Sequence, residues 1–504
     1  MAIMTTLSAI SRLGRAHRVL LRLSLVSAVL ALPAGCSPSD LLEVTDPDIV
    51  TPENLADSSS LPTVRSAAIG DFALAHSGSG AAGSGGAEGQ ILASGLLADE
   101  FINSETFPTR IEVDRRGPIL VDNATTQDWF RTLSRSRRSA EFAAAKYREF
   151  VAAGVDTTQQ PGLAEVLSLA GFTYLFFADN YCSGVPISTA DPVSGALTFG
   201  SPLTTTQLLD TAINRFNQAL AVATALNAAL GATRTARINL ASVGRGRALL
   251  TRGAAGDFAA ASAAVAAVPT SFAYQLQHTE NTGRENNGVF VANVISERYS
   301  VADREGNYAA GSCTAASQCV GTGPGLPFRS VVDTRTPFAR SPANDVGFDG
   351  ATPQLDNRRY IDRKNFVTVA TGAEARLIEA EVALQAGDPV TWLARHNALR
   401  AAPPSYLAPT GGTIAALAAL VDPGTAVGRQ DLHFSERARW LWLTGHRLSD
   451  MRRLVRQYGR AVNTVFPSGA YFKQGFTYGP DVNFPVPVDE LNNPNFTQCI
   501  DRNP

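Results

Sequence analysis

Apolar side chains recur at three- and four-residue intervals along much of the chain, which is the spacing that lines one face of an α-helix. The clearest case begins at Leu448 and continues through Met451, Leu454, Val455 and Tyr458. Alanine and leucine, both good helix formers, dominate the apolar residues. The pattern therefore predicts a mainly α-helical protein. Helices are predicted over residues 62–75, 125–151, 204–230, 235–252, 256–267 and 373–400, and from residue 164 to an end at Gly184.

Several of these helices are expected to form hairpins. Residues 252–258 (RGAAGDF) make a turn between two helical patterns, and an Ala-Gly-Asp turn at 386–388 separates two more. Both turns resemble those of tetratricopeptide-type repeats. Small residues where helices cross allow close approach, and stacked hairpins form a curved right-handed array. Because the spacing is irregular, we expect degenerate repeats interrupted by inserts.

The stretch 269–362 breaks the helical pattern and is rich in Gly, Pro, Asn and Asp. Short strands are predicted at 289–295 and, just beyond the stretch, at 366–369. A second break, the low-complexity sequence SGSGAAGSGGAEG at 77–89, predicts a flexible loop. The stretch 269–362 is much the longer of the two, and an irregular segment of that length inside a compact protein usually carries function. We therefore interpret 269–362 as a loop-rich functional insert.

The most ordered stretch is 432–460, LHFSERARWLWLTGHRLSDMRRLVRQYGR. Its first part, 434–443, is bulky on almost every side, which is typical of a helix buried inside a protein. Gly445 would then bend the path or admit a neighbouring backbone. Arg447 and Asp450 stand three residues apart and are predicted to pair on one helical face. We expect a buried helix pair here, with residues 461–504 forming an irregular tail.

Within this stretch, SERARWLWLTGHRLSDMRR resembles the signature E-R-x-x-E-L-x-(aromatic)-E-G-x-R-x-x-D-x-x-R of the SusD/RagB family. Trp440, Leu443 and Thr444 depart from that signature. Residues 164–189 and the tail DVNFPVP at 481–487, followed by Glu490 and an Asn-Pro-Asn sequence, are similar to two further family patterns. Together the matches cover most of the chain after residue 36.

The resemblance implies a fold and a function. The fold would be tetratricopeptide-like helical hairpins in a right-handed array, in a single domain over 36–504 with a loop-rich subdomain and a few short strands. The function would be nutrient capture, usually of a glycan, by an outer-membrane lipoprotein. Such a protein would cap a SusC-like TonB-dependent barrel and pass ligand into it.

Residues 1–35 read as an export signal, with a basic start, an apolar run at 23–32 and small residues before Cys36. The sequence LPAGC resembles a bacterial lipobox, so Cys36 is the predicted lipid attachment site and the lipid the predicted membrane anchor. An ordinary signal peptide followed by a chance cysteine is the alternative. Because Pro33 stands where leucine is usual, the lipobox match is imperfect.

With Cys36 acylated, the cysteines that remain are Cys182, Cys313, Cys319 and Cys499. An even number in an exported protein indicates disulfides. Cys313 and Cys319 bound a short polar loop that is easily closed, which leaves Cys182 with Cys499. A zinc site is the rival interpretation, but no C-x-x-C pair or nearby pair of histidines supports it.

Charge and motifs narrow the function. A net charge of −2, with no Lys/Arg block, argues against a nucleic-acid-binding surface. No H-E-x-x-H, G-x-S-x-G or Walker A motif is present, so no catalytic residue, metal or cofactor is predicted. An exported hydrolase using carboxylates such as Asp99 and Glu100 is kept as a distant alternative. A helical-repeat scaffold that binds protein is the nearer one.

A sugar-binding site needs an aromatic plane with polar groups around it. The sequence places aromatic residues beside polar ones in several loops, including Phe107 with Arg110. All four tryptophans fall in predicted helices, so an obvious aromatic platform is missing and a peptide ligand stays open. The candidate ligand-binding residues are Phe101, Asn103, Tyr274, Asn307, Tyr308, Phe328 and Arg329.

Overall fold

A computed structural model of the chain describes residues 55–80, 88–191, 196–342, 345–408 and 413–504. The chain divides into two compact units, 1–57 and 58–504, and the elements below belong to the second. The predicted export signal, Cys36 and most of the low-complexity loop, residues 81–87, lie outside the described residues.

Helices account for most of the regular structure, which confirms the prediction of a mainly α-helical fold. Pairs of successive helices pack against each other as hairpins. The helices are α1 (Leu61–Ser77), α2 (Gln90–Leu97), α3 (Pro108–Asp114), α4 (Ala124–Ala152), α5 (Pro161–Asn180), α6 (Thr205–Ala225), α7 (Gly231–Arg252), α8 (Asp257–Val265), α9 (Gly288–Phe290), α10 (Gly372–Gln385), α11 (Pro389–Ala401), α12 (Ala426–Trp440), α13 (Arg447–Tyr458) and α14 (Val462–Val465).

The strands are short and form antiparallel pairs. The pairs are β1 (Phe101–Asn103) with β7 (Tyr299–Val301), β2 (Val185–Pro186) with β5 (Pro202–Leu203), β3 (Thr189–Ala190) with β4 (Leu197–Thr198), β6 (Ala273–Leu276) with β10 (Val367–Thr371), and β8 (Phe338–Arg340) with β9 (Leu355–Asn357). The pair β1 and β7 joins the first part of the chain to the insert.

Helix α5 is the centre of the helical array. Proline at its first turn suits a helix start, and every residue from Gly162 to Asn180 is buried. It packs against α4, α6 and α7. By length and hydropathy α5 is the one helix in the described ranges that could cross a membrane, yet 94% of that window is buried inside the protein. We therefore interpret α5 as the core helix of the fold.

Two glycines allow this close packing. Phe216 of α6 is fully buried between α5 and α7. A Cβ added at Gly171 would lie 2.8 Å from its ring, and one added at Gly244 would lie 2.2 Å from it. Because glycine on both sides is what gives the ring its space, neither helix tolerates a larger residue at its contact point.

We therefore expect Gly244→Ala to lower the free energy of unfolding by about 1–3 kcal/mol, the usual cost of an overpacked core. Gly70→Ala is the matched control, because a Cβ at this exposed helical position has nothing within 4 Å. That variant should gain roughly 0.5–1 kcal/mol from helix propensity. Urea denaturation followed by circular dichroism measures both, and equal effects would contradict this account of the packing.

The helix pair α12 and α13 is buried, as its apolar pattern predicts, but charged groups hold it in place. Asp450 of α13 accepts two hydrogen bonds from Arg437 of α12, at 3.0 and 2.9 Å, and one from Arg453 at 2.7 Å. Glu381 of α10 is fully buried and pairs with Arg453. Two acids and two arginines thus join the helices α10, α12 and α13.

The predicted pair between Arg447 and Asp450 is wrong. Arg447 instead forms a two-pronged ion pair with Asp99, which follows α2, at 2.6 and 2.8 Å. Although Arg447 and Asp450 are neighbours on α13, each finds a better partner on another segment. This ion pair ties α13 to the loop that leads into β1.

Two other local predictions were also wrong. The β-branched run 289–295 forms α9 and a single π-helical turn, because Asn287 caps the helix by accepting from the Phe290 N–H. Asn293 in that turn donates to two backbone carbonyls, so tertiary contacts override the strand preference. Helix α5 ends at Asn180, ahead of Gly184, because the following backbone pairs with Phe484 of the tail.

Candidate functional site

Two phenylalanine rings stand largely exposed next to the strand pair β1 and β7. Phe107 ends the loop after β1 and is 51% exposed, and Phe348 lies between β8 and β9 and is 59% exposed. Phe107 precedes Pro108, which keeps its backbone extended and outside the helix that Pro108 begins. With Glu105, Arg110 and Arg298, these rings make up what we call the Phe107/Phe348 face.

Each ring has a guanidinium group over it. The Cζ of Arg110 lies 5.5 Å from the centre of the Phe107 ring, and the Cζ of Arg298 lies 4.8 Å from that of Phe348. Both distances fall in the cation–π range. The arginines hold the rings in place while more than half of each phenylalanine stays open to solvent.

One buried carboxylate joins the two halves. Glu105 pairs with Arg110, and its Oε2 lies 3.4 Å from Nη1 of Arg298. Glu88 also pairs with Arg110 and accepts a 3.2 Å hydrogen bond from the Tyr299 hydroxyl. Two acids thus balance two arginines, which makes the surface beside the rings polar but close to neutral.

The backbone beneath the face is joined by hydrogen bonds between distant segments. Ser104 donates to the carbonyl of Arg298 at 3.1 Å and accepts from the Asp349 N–H at 3.0 Å. A Cβ at Gly347 would lie 2.4 Å from Cβ of Ser104, so glycine is needed for the approach. The insert and the loop after β1 are therefore held against each other.

Lys473 of the tail also contacts this region. Its ammonium donates to Oδ1 of Asn103 at 2.8 Å and to the carbonyl of Glu105 at 2.9 Å, and it pairs with Asp349 at 2.8 Å. Burial lowers the pKa of Lys473, and Asp349 opposes this shift. Lys473 thus joins the tail to the two segments that lie beneath the face.

A buried acidic pair, Asp114 and Glu305, lies next to Lys473. Asp114 accepts hydrogen bonds from the Tyr471 hydroxyl at 2.6 Å and the Asn103 N–H at 2.7 Å, and Glu305 accepts from the Tyr478 hydroxyl at 2.9 Å. Burial raises the pKa of Asp114 to about 6, and burial and then Asp114 raise the pKa of Glu305. Because Asp114 accepts from the Asn103 N–H, this pair helps to hold β1 in place.

The residues predicted from sequence fall in different places. Asn103 lies under the face, and the pair Phe107 and Arg110 forms part of it. Asn307 is exposed in a separate turn and donates to the Thr322 hydroxyl at 3.1 Å. Phe348 and Arg298 are not among the residues predicted from sequence, because only the folded insert brings them to Glu105.

The other candidates are engaged inside the protein. The rings of Phe101, Tyr308 and Phe328 are buried. Tyr274 donates to Glu165 at 3.0 Å, and Arg329 is buried and donates to the Gln318 carbonyl at 2.8 Å. Ligand contact by any of them stays a prediction.

The cysteines are brought together in two pairs. The structure joins Cys182 to Cys499 and Cys313 to Cys319. The first link ties the tail to the end of α5, and the second closes a turn of the insert. Within the described ranges, no group of three or more His, Cys, Asp or Glu side chains is placed to hold a metal ion.

Solved structures with this architecture are numerous. The surface glycan-binding protein A from Bacteroides uniformis is 13% identical over 88% of this chain and 99% of that one, with a TM-score of 0.60. A SusD-like carbohydrate binding protein from Bacteroides fragilis NCTC 9343 is 13% identical over 88% and 99%, with a TM-score of 0.57. A SusD/RagB family protein from Bacteroides thetaiotaomicron VPI-5482 is 12% identical over 86% and 94%, at 0.55.

No protein-family model and no curated protein sequence matches the chain. The structural likeness nevertheless extends over nearly the whole length of these proteins. The chain has the SusD-like fold, with helical hairpins beside a loop-rich insert.

Proposed function

We propose that this chain is a non-enzymatic capture protein that binds a neutral glycan on the Phe107/Phe348 face. The observation that carries the proposal is the pair of exposed phenylalanine rings, each backed by an arginine and joined through Glu105. Sugar rings present flat C–H patches that pack on aromatic planes, and their hydroxyls bond to charged and amide groups nearby. The balanced charge of the face favours a neutral ligand over an acidic one.

The fold supports the same assignment. Two of the structural neighbours are described as binding glycan or carbohydrate. A rigid site also suits capture, since groups held in place before binding lose little entropy when ligand arrives. Lys473 and the backbone bonds of Ser104 provide that rigidity.

The test is a glycan titration of Phe107→Ala/Phe348→Ala. An aromatic contact contributes on the order of 1 kcal/mol, so losing both should weaken binding of the best neutral oligosaccharide by about tenfold to a hundredfold. Isothermal titration calorimetry measures the dissociation constant. Phe199→Ala is the matched control, because Phe199 is 40% exposed and lies on a different loop.

The control should bind as the wild type does. Unchanged glycan affinity in the double variant would move the site elsewhere. Binding of peptides in place of glycans would favour the peptide alternative, and binding only to folded proteins would favour a helical-repeat scaffold.

The location and partner are part of the proposal. We infer that Cys36 carries the lipid that anchors the chain to the outer membrane, and that a SusC-like TonB-dependent barrel receives the ligand. Cys36→Ser should abolish labelling by radioactive palmitate and leave the export signal uncleaved, and continued labelling would contradict the anchor. A detergent pull-down of the tagged chain should recover the barrel, and recovery of none would count against this partner.

A further inference from the structure

A second cleft lies apart from the Phe107/Phe348 face and shares none of its residues. Its enclosed volume is only about 20 Å³, and the rest of the cleft is open to solvent. We call it the Arg359 cleft. Six of the residues that line it are Arg359, Tyr360, Asn365, Phe366, Thr368 and Tyr406.

Arg359 is unusual among the buried arginines. It is only 8% exposed, and its partner is the Tyr360 side chain, whose ring centre lies 5.8 Å from the Cζ of Arg359. In the described part of the chain no carboxylate lies within 4.0 Å of Arg359 and no backbone carbonyl accepts from it. Arg437, Arg447 and Arg453 all have carboxylate partners, whereas Arg329 donates to carbonyls. A buried guanidinium normally needs such partners, so Arg359 retains unmet capacity to bind an anion.

Two further donors line the same cleft. Oδ1 of Asn365 is fixed by the N–H groups of Ile361 and Asp362, and within the described ranges its Nδ2 donates no hydrogen bond. Thr368 is buried, and its hydroxyl likewise has no hydrogen bond to a described residue. A guanidinium, an amide N–H and a hydroxyl make a donor set suited to a carboxylate.

Nearby acids do not cancel the charge of Arg359. Glu374 lines the adjoining cleft but forms a two-pronged ion pair with Arg247. Glu100 is a second buried acid that interacts electrostatically with Arg359. Burial raises the pKa of Glu100 to about 8, so this carboxyl is protonated at neutral pH. His446 is also in the adjoining cleft, and burial lowers its pKa, so it is neutral. The cleft therefore carries one net positive charge.

We propose that the Arg359 cleft binds the carboxylate group of a singly charged organic acid, with Arg359 as the ion-pairing residue. One guanidinium matches one negative charge, whereas a phosphate dianion would need more cations. Tyr360, Phe366 and Tyr406 supply aromatic walls for the carbon atoms next to the carboxylate. The carboxylate could belong to an acidic sugar or to the end of a peptide.

The experiment titrates the full chain by calorimetry, at low ionic strength and in buffer free of carboxylate and phosphate. The probes are glucuronate with glucose as its neutral counterpart, N-acetylalanine with its amide, and inorganic phosphate. We expect at least one carboxylate to bind and its neutral counterpart not to bind. Arg359→Gln should weaken that binding at least tenfold, whereas Thr368→Val should weaken it several-fold.

Arg358→Gln is the matched control, because Arg358 is adjacent in sequence, 36% exposed, and loosely paired with Asp356 at 3.9 Å. It should leave carboxylate binding unchanged. No binding by either carboxylate, equal binding by phosphate, or full affinity in both cleft variants would overturn the proposal. The Phe107→Ala/Phe348→Ala variant should keep carboxylate binding, so failure here is separable from failure of the glycan site.

Discussion

Replacing Glu381 with leucine should lower the free energy of unfolding by about 3–5 kcal/mol, the usual cost of breaking a buried ion pair from one side. Glu381 is fully buried, accepts from Arg453 at 3.0 Å and from the Tyr458 hydroxyl at 2.9 Å, and lies 3.2 Å from Nε2 of His433. Burial alone would raise the pKa of Glu381, but Arg453 and its neighbours lower it well below the usual value. The variant leaves Arg453 and Arg437 with Asp450 as their shared acid.

A double-mutant cycle separates the pair from its surroundings. Arg453→Met should also be strongly destabilising, but Glu381→Leu/Arg453→Met should cost clearly less than the sum, because no unpaired charge remains. Asp431→Ala is the control, since its ion pair with Arg460 is exposed and should contribute less than about 1 kcal/mol. Urea denaturation measures all four variants, and simple additivity would mean that the two charges do not depend on each other.

Replacing Glu100 with glutamine should make the protein more stable than the wild type at alkaline pH and leave it nearly unchanged at pH 5. Burial raises the pKa of Glu100 from 4.5 to about 8, partly offset by the hydrogen bond from the Leu443 N–H at 2.8 Å. Between those pH values the folded state keeps a proton that the unfolded state has lost, so wild-type stability falls as pH rises. Glutamine still accepts from Leu443 and has no proton to lose.

The expected difference grows by up to about 1.4 kcal/mol per pH unit between pH 5 and pH 8 and then levels off. Denaturant unfolding of both proteins at each pH measures it. The near equality at pH 5 is the internal control, because Glu100 is protonated there in the folded state. Parallel stability curves across this range would show that Glu100 is already ionised in the fold.

Much of the helical framework could be predicted because its signals are local. Helix α6 begins at Thr204 with a capping box that Gln207 completes, and a glycine in the left-handed conformation follows Arg252 at the end of α7. Each of these positions is set by residues a few places apart. The apolar spacing of α13 likewise predicts the helix, although every residue from Arg447 to Leu454 is buried and not one face alone.

The site could not be predicted in the same way, because its parts are far apart in the sequence. Glu105 meets Arg298 only after β1 pairs with β7, and Phe348 reaches the same place through the contact of Gly347 with Ser104. The error at Arg447 and Asp450 has the same cause, since their partners come from other segments. Loop aromatics that look suitable in sequence, such as Phe101, are used instead to fill the core.

A calorimetric screen of the full chain against neutral oligosaccharides and peptides tests whether this chain binds glycan and leaves it unchanged. Each mixture is then assayed for released reducing ends. We expect saturable binding of at least one neutral oligosaccharide, which is recovered intact. Binding of none, or release of reducing ends from a bound glycan, would contradict it.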